Sequence, residues 1–235
     1  MMKIMKGNCR CSPAWIVSGI MICILISFFS CNWTGKTDMD AFEVIHNRRS
    51  VRAYQSVPVP GEHILQILDA ARMAPTAGNQ QPWKFMVVED SKRINAIKMT
   101  CIEDRMKDFR NTQNPDSSAL AQRYKQITEY YSRVFSAPVY IVVLTDSRAP
   151  HAGFNSHDGP LAAGYLMLAA RALGYGTVYY TSSIPDYITR NVLNIPDRYQ
   201  RVCITPVGVP QKWPETPDKK PLEALVVYDQ FDEEK

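Results

Sequence analysis

Along the chain, apolar residues change their spacing in a way that marks successive elements. Ile64, Leu65, Ile67, Leu68 and Ala71 recur at i, i+3, i+4 and i+7, which predicts an amphipathic helix over 61–74 opened by Pro60 and Gly61. Phe85 to Val88 form a short apolar run, the core of a strand over 84–89, and Ile94, Ile97 and Cys101 return to helical spacing from Ser91 to about Glu103. Residues 108–118 are polar and read as an exposed excursion. A helix over 119–135 carries Tyr124, Tyr130, Tyr131 and Phe135, an aromatic stripe suited to the core or to a subunit contact. Pro138 opens a strand over 139–144, and 146–155 reads as a loop.

The stretch 161–173 is apolar around nearly its whole circumference, so a helix there must be covered on most faces. Gly174 and Gly176 end it, and 177–180 predicts another strand. That glycine pair follows a helix and lacks a third glycine, which argues against a dinucleotide fingerprint. A short helix over 186–193, closed by Pro196, precedes a last core strand over 201–207. The four prolines between 210 and 221 predict an extended loop, and 222–228 an extended arm. Near the start, 41–47 is a short helix broken off from the next by Pro58 and Pro60.

The first thirty residues follow none of these patterns. Lys3, Lys6 and Arg10 give a basic start, and no charge occurs between Trp15 and Cys31, as in an export signal. Phe28-Phe29-Ser30-Cys31 resembles the cleavage box of bacterial lipoproteins, with Phe28 where Leu is usual. The expectation is a signal peptide over 1–30, a lipid on Cys31, a tether over 31–40 and one domain over 41–235. The protein would then be lipid-anchored in a bacterial cell envelope, facing the periplasm or the exterior. An uncleaved anchor is the other reading, since about seventeen apolar residues can barely span a bilayer.

Composition adjusts this picture in two ways. The chain has 235 residues with 27 basic against 23 acidic, but the signal alone takes three basic residues and no acid, leaving 24 against 23 on 205 residues. The basic balance therefore belongs mostly to the signal and gives no reason to expect nucleic acid as a partner. Of six cysteines, only Cys101 and Cys203 fall in the globular part, far apart and best read as buried small hydrophobes. His46, His63, His151 and His157 show no metal-ligand spacing.

Two stretches carry the chemistry. In Ala74-Pro75-Thr76-Ala77-Gly78-Asn79-Gln80-Gln81-Pro82-Trp83, a helix gives way to a strand across a turn rich in hydroxyl and amide groups, with prolines fixing the backbone on both sides. A planar heterocycle with donors and acceptors on its edge suits such a loop; a polar turn whose amides satisfy their own backbone is the alternative. Arg48-Arg49-Ser50-Val51-Arg52 packs three guanidinium groups and a hydroxyl into five residues, donors that match phosphate oxygens.

Together, in this order, these stretches resemble the RRSxR-like and P-[ST]-x-x-N-x-Q-P-W segments of the nitroreductase family of FMN-dependent oxidoreductases, and the resemblance runs from about Ala41 to Tyr228. It implies an α+β fold, a central, mostly antiparallel sheet flanked by helices, in a domain-intertwined homodimer with the flavin at the interface. It also implies that Arg48, Arg49, Ser50 and Arg52 bind the FMN phosphate and ribityl chain, with Lys219 and Lys220 closing over them. Pro75, Thr76, Ala77, Asn79 and Gln81 would then line the ring. Ser182 and Ser183 would lie beside it, where many members have Glu and Gly. No side chain need act as a catalyst, because hydride chemistry belongs to the flavin. The implied reaction passes electrons from NAD(P)H or another reductant to a small electron-poor acceptor such as a nitroarene or quinone. Relatives with this fold also perform reductive dehalogenation, ring cleavage and azoline oxidation. The alternative outside catalysis is an exported module that binds a flavin or small aromatic ligand without turnover.

Overall fold

Seven consecutive buried residues, Val139 to Thr145, can only belong to a strand covered on both faces, and that strand is the middle of the sheet. The computed structural model describes residues 38–113 and 115–231. Within them the helices are α1 (Ala41–Asn47), α2 (Gly61–Ala71), α3 (Ser91–Gln113), α4 (Ser117–Val134), α5 (Asn155–Ala172) and α6 (Asp186–Leu193). The strands are β1 (Trp83–Val88), β2 (Val139–Asp146) and β3 (Tyr199–Val207). The signal, Cys31 and the tether as far as residue 37 lie outside the described residues.

β1 and β3 pair antiparallel on either side of β2, with Val87 opposite Ile141 and Val142 opposite Ile204. Because successive side chains in a strand point to opposite faces, β2 feeds two cores. Ile141, Val143, Cys203 and Val207 meet Ile64 and Ile67 of α2 and Leu166 of α5; Tyr140, Val142, Leu144 and Ile204 meet Ile102 of α3, Tyr131 of α4 and Ile188 of α6. This is the mostly antiparallel sheet between helices that the sequence led us to expect.

The expected strand over 177–180 is reduced to isolated bridges, Gly176 with Gly208 and Tyr180 with Ile204. The intervening ladder fails for two local reasons: Pro206 has no N–H to give, and the Val178 carbonyl instead accepts the Thr205 hydroxyl at 2.7 Å. The segment still extends the sheet, and Ser50 bridges to Thr177 in parallel on its far side.

Two helices exceed their sequence expectation. α3 continues to Gln113, because Ile102 and Met106 prolong its buried stripe while the polar residues fall on the solvent face. The supposed excursion over 108–118 is thus mostly helix, and α4 starts at Ser117 with the Asp116 carboxylate accepting from Ala119 N at 2.8 Å. α5 begins at Asn155, inside residues that read as turn chemistry. Asn155 Nδ2 donates to the Asp146 carbonyl at 2.9 Å. Gly159 brings this end flush against the sheet: a Cβ there would stand 2.4 Å from Val202 Cγ2 and 3.0 Å from Thr145 Cγ2.

α5 is also less covered than its composition demands. Ala162, Ala163, Leu166 and Ala170 are buried, yet Leu161 and Tyr165 are 44% and 41% exposed on the opposite face. Beside it, α1 exposes Phe42 and Ile45, and the C-terminal arm exposes Leu222, Leu225, Tyr228 and Phe231. Apart from a short turn at Leu222–Ala224, that arm has no regular structure. No described helix is long and apolar enough to cross a membrane.

Candidate functional site

The arginine cluster is presented by a backbone that is fixed on both sides. α1 begins with a capping box in which the Asp40 carboxylate accepts from Glu43 N and Glu43 accepts from Asp40 N, and it ends where Arg48 turns extended. Val51 N then donates to the Thr177 carbonyl at 2.9 Å, and Val51 is buried, so the strand-like alternation turns Ser50 and Arg52 the other way. This close approach requires a glycine at 176, where a Cβ would lie 2.6 Å from Val51 Cγ2.

Ser50, Arg48, Arg49 and Arg52 line a cavity of about 570 Å3 whose other wall is the proline-rich loop, with Pro214, Glu215, Thr216, Pro217 and Lys219. Arg49 donates to the His46 carbonyl at 2.6 Å, to its neighbour's carbonyl at 2.9 Å and to the Thr216 hydroxyl, tying the two walls together. The loop is clamped from behind by Arg171, whose guanidinium lies 3.8 Å from the centre of the Trp213 ring. Burial, and secondarily Arg49, hold the Arg171 pKa below its ordinary value.

Among the described residues, Arg48, Arg49, Arg52 and Lys219 make no ion pair, although Arg72, Arg190 and Arg201 elsewhere all do. Four cations that form no ion pair, set against the single carboxylate of Glu215 in the same lining, leave the cavity positive and favour a multiply charged anion between them. Lys220 is not part of this lining.

Arg52 also reaches a second cavity of about 320 Å3, shared with Thr181, Ser182, Ser183, Tyr130, Arg133 and Tyr180. Its serine wall is held by Arg201, which donates to the Thr181 carbonyl at 2.9 Å, and by the Tyr131 hydroxyl, which donates to the Ser183 carbonyl at 3.3 Å. The aromatic stripe of α4 therefore divides. Tyr131 and Phe135 belong to the core, as expected, whereas Tyr130 faces the cavity.

The amide-rich loop lies elsewhere in the chain. Pro75, Thr76, Ala77 and Asn79 line neither cavity, and Gln81 borders a third, of about 540 Å3, with Trp83, Asp146 and Arg148. A short 3-10 turn spans Ala77–Asn79, and the backbone is left-handed at Gly78, Asn79 and Gln81, with φ of 56°, 55° and 47°. For the two non-glycine residues this conformation costs roughly 1–3 kcal/mol each and persists only where the surroundings enforce it.

Those surroundings are visible. Gln81 N donates to Thr76 Oγ1 at 3.2 Å, and Gln81 Nε2 donates to Asn79 Oδ1 at 3.2 Å. The Pro82 carbonyl accepts from Asp146 N at 2.8 Å. Gln80 donates to Asp158 Oδ2 at 2.7 Å and to the His151 carbonyl at 3.0 Å, while its own Oε1 accepts from His151 N at 2.7 Å. The loop thus partly satisfies itself, as the plain-turn reading required, and is otherwise held from behind by Gln80 and Asp158. Neither stood out in the sequence. Gln80 sat unremarked within the motif, and Asp158 lay between the loop expected over 146–155 and the helix expected over 161–173, in residues given to neither.

Cys101 and Cys203 are buried and unbridged, and burial pushes each thiol up to about 12, so neither is a nucleophile. His63 is likewise structural, its Nδ1 lying 2.7 Å from the Tyr175 hydroxyl in the core. No group of His, Cys, Asp and Glu among the described residues could hold a metal ion.

Comparison with known proteins places this geometry. The model of the nitroreductase family matches residues 45–209. An iodotyrosine deiodinase from Thermotoga neapolitana is 29% identical over 195 residues, covering 81% of this chain and 98% of that protein. A putative NADH dehydrogenase/NAD(P)H nitroreductase from Methanothermobacter thermautotrophicus is 32% identical over 185 residues, covering 77% and 82%. Among solved structures, oxidized iodotyrosine deiodinase bound to FMN and 3-iodo-L-tyrosine superposes with a TM-score of 0.65 at 28% identity, covering 82% of this chain and all of that one.

Proposed function

The chain belongs to the nitroreductase family, and from that premise we propose that it is an FMN-dependent oxidoreductase that carries electrons from a reductant to a small electron-poor acceptor such as a nitroarene or quinone. One observation carries the reading: four cations without acidic partners and the Ser50 hydroxyl surround a single cavity of about 570 Å3. That donor set fits the phosphate and ribityl end of FMN, with Arg48, Arg49, Ser50, Arg52 and Lys219 as its holders. When bound, the flavin supplies the electron-transfer chemistry; the chain supplies charge, position and exclusion of water.

Because the cradle and the amide-rich loop of one chain line different cavities, we assign the ring-facing role of Pro75, Thr76, Ala77, Asn79 and Gln81 to the loop of a second copy. The uncovered apolar face of α5 supports a homodimer that would bring the two together. Ser182 and Ser183, in the cavity that shares Arg52, would stand beside the ring from the first copy.

A soluble protein comprising residues 36–235 is expected to be yellow and to bleach with dithionite. Bleaching with NADH or NADPH would identify a nicotinamide donor, and bleaching with dithionite alone would point to a quinol or a redox protein. A colourless protein that takes up no added FMN would overturn the enzyme reading and leave a binding module.

A second acceptor class is favoured by the similarity to iodotyrosine deiodinases. Reductive removal of halide from a halogenated aromatic uses the same electron source and the same cradle. Turnover of the reduced protein against matched nitroarene, quinone and iodophenol panels separates these reactions.

We further propose that the chain is exported and carries a lipid on Cys31. Nicotinamide donors are cytoplasmic, so export would favour the quinol or protein donor. Cells fed radiolabelled palmitate should label the full chain but not Cys31→Ala. Equal labelling of both would sink the anchor.

A further inference from the structure

Asp158 is a buried carboxylate, 3% exposed, that makes no ion pair among the described residues. It sits in the first turn of α5, where the helix favours negative charge, and its two oxygens accept from Ala77 N at 3.2 Å and from Gln80 Nε2 at 2.7 Å. Both donors belong to the amide-rich loop; Gln80 is not among the residues assigned to the flavin ring, and Ala77, which is, gives its backbone N–H to Asp158.

Gln80 cannot adapt to a different partner. Its amide is paired at both ends with the backbone of His151, Oε1 accepting from N–H at 2.7 Å and Nε2 donating to C=O at 3.0 Å, so its orientation is fixed and its remaining N–H must meet an acceptor. The His151 imidazole closes the same side, standing where a Cβ on Gly78 would be 2.8 Å from Nε2. The rear of the loop is therefore fully engaged, while the left-handed residues Asn79 and Gln81 turn exposed amides outward.

We propose that Asp158 is a positioning residue for the flavin ring. Through Ala77 and Gln80 it sets the placement of the loop whose Thr76, Asn79 and Gln81 face the ring of the flavin held by a second copy. The inference rests on the FMN reading above and adds a residue remote from the phosphate cradle.

Asp158→Asn tests it in the FMN-loaded protein. The variant keeps one acceptor for Ala77 N but sets an NH2 group against the fixed NH2 of Gln80. The expected result is unchanged FMN stoichiometry at saturation and an unchanged oligomeric state. The visible absorption of the bound flavin should move toward that of free FMN, and the FMN dissociation constant should rise about tenfold. Asn79→Ala, run in parallel, reports whether the loop meets the flavin at all.

If Asn79→Ala alters the spectrum and Asp158→Asn does not, the positioning role is overturned while the assignment of the loop stands. If neither variant alters spectrum or affinity, the loop is not a ring contact and the proposal fails with that part of the reading. Should Asp158→Asn not fold, Gln80→Leu, at a half-buried position, must produce the same spectral shift; a wild-type spectrum there overturns the proposal.

Discussion

Changing Arg48 and Arg52 together to Ala is expected to yield a folded protein that purifies without flavin. Folding survives because neither guanidinium holds the segment in place: Val51 packs into the core and bonds to Thr177, Tyr54 bonds back to the Val51 carbonyl, and Arg52 contributes only a 3.2 Å bond to the Ser50 carbonyl. Removing two cations from a set of four would even relieve repulsion in the empty cradle. Binding is affected in the opposite sense. Hydrogen bonds to charged groups are worth about 1.5–3 kcal/mol each, so losing two weakens FMN binding by roughly 3–6 kcal/mol, on the order of 10²–10⁴ in the dissociation constant. Flavin absorbance per chain, read beside the far-UV circular dichroism and melting temperature, checks both halves. Stoichiometric FMN in the variant would remove the phosphate assignment.

This test acts on the part of the site that was most legible in the sequence. Three arginines and a serine within five residues had no structural use that periodicity could supply, and the structure leaves the arginines without acidic partners on one cavity. The sheet was legible for the same kind of reason, since an unbroken apolar run of strand length has few other solutions. Reading failed where local chemistry misrepresented tertiary context. Asn155, Ser156, Asp158, Gly159 and Pro160 are turn-forming residues, yet they start α5 because Gly159 fits against Thr145 and Val202 and because Asp158 finds donors on a distant loop. The polar surface of α3 past Glu103 concealed Met106, whose burial continues the stripe of Cys101 and Ile102 and keeps the helix going. Spacing in sequence also said nothing of whether the cradle and the amide-rich loop meet within one chain, and they line separate cavities.

That separation makes the second large prediction a test of assembly and site at once. Leu161 and Tyr165 lie four residues apart on α5, so they share a face, and it is the face turned away from buried Ala162, Ala163, Leu166 and Ala170. Replacing both with Glu leaves the core of the chain untouched. In a homodimer sealed through this face, however, it would place two carboxylates per chain in a desolvated contact, at an effective cost of several kcal/mol per ion. The variant is expected to sediment as a folded monomer at micromolar concentration, and the parent protein as a dimer. Flavin content should fall with it, because the loop that would cover the ring leaves with the partner while the cradle keeps only the phosphate end. A variant that remains dimeric and yellow would show that α5 does not form the contact. A monomer that binds FMN as tightly as the parent would instead mean that one chain completes the site, and the amide-rich loop would then need a different task. Only loss of the dimer together with weakened flavin binding ties the exposed apolar face of α5 to the chemistry of the cradle.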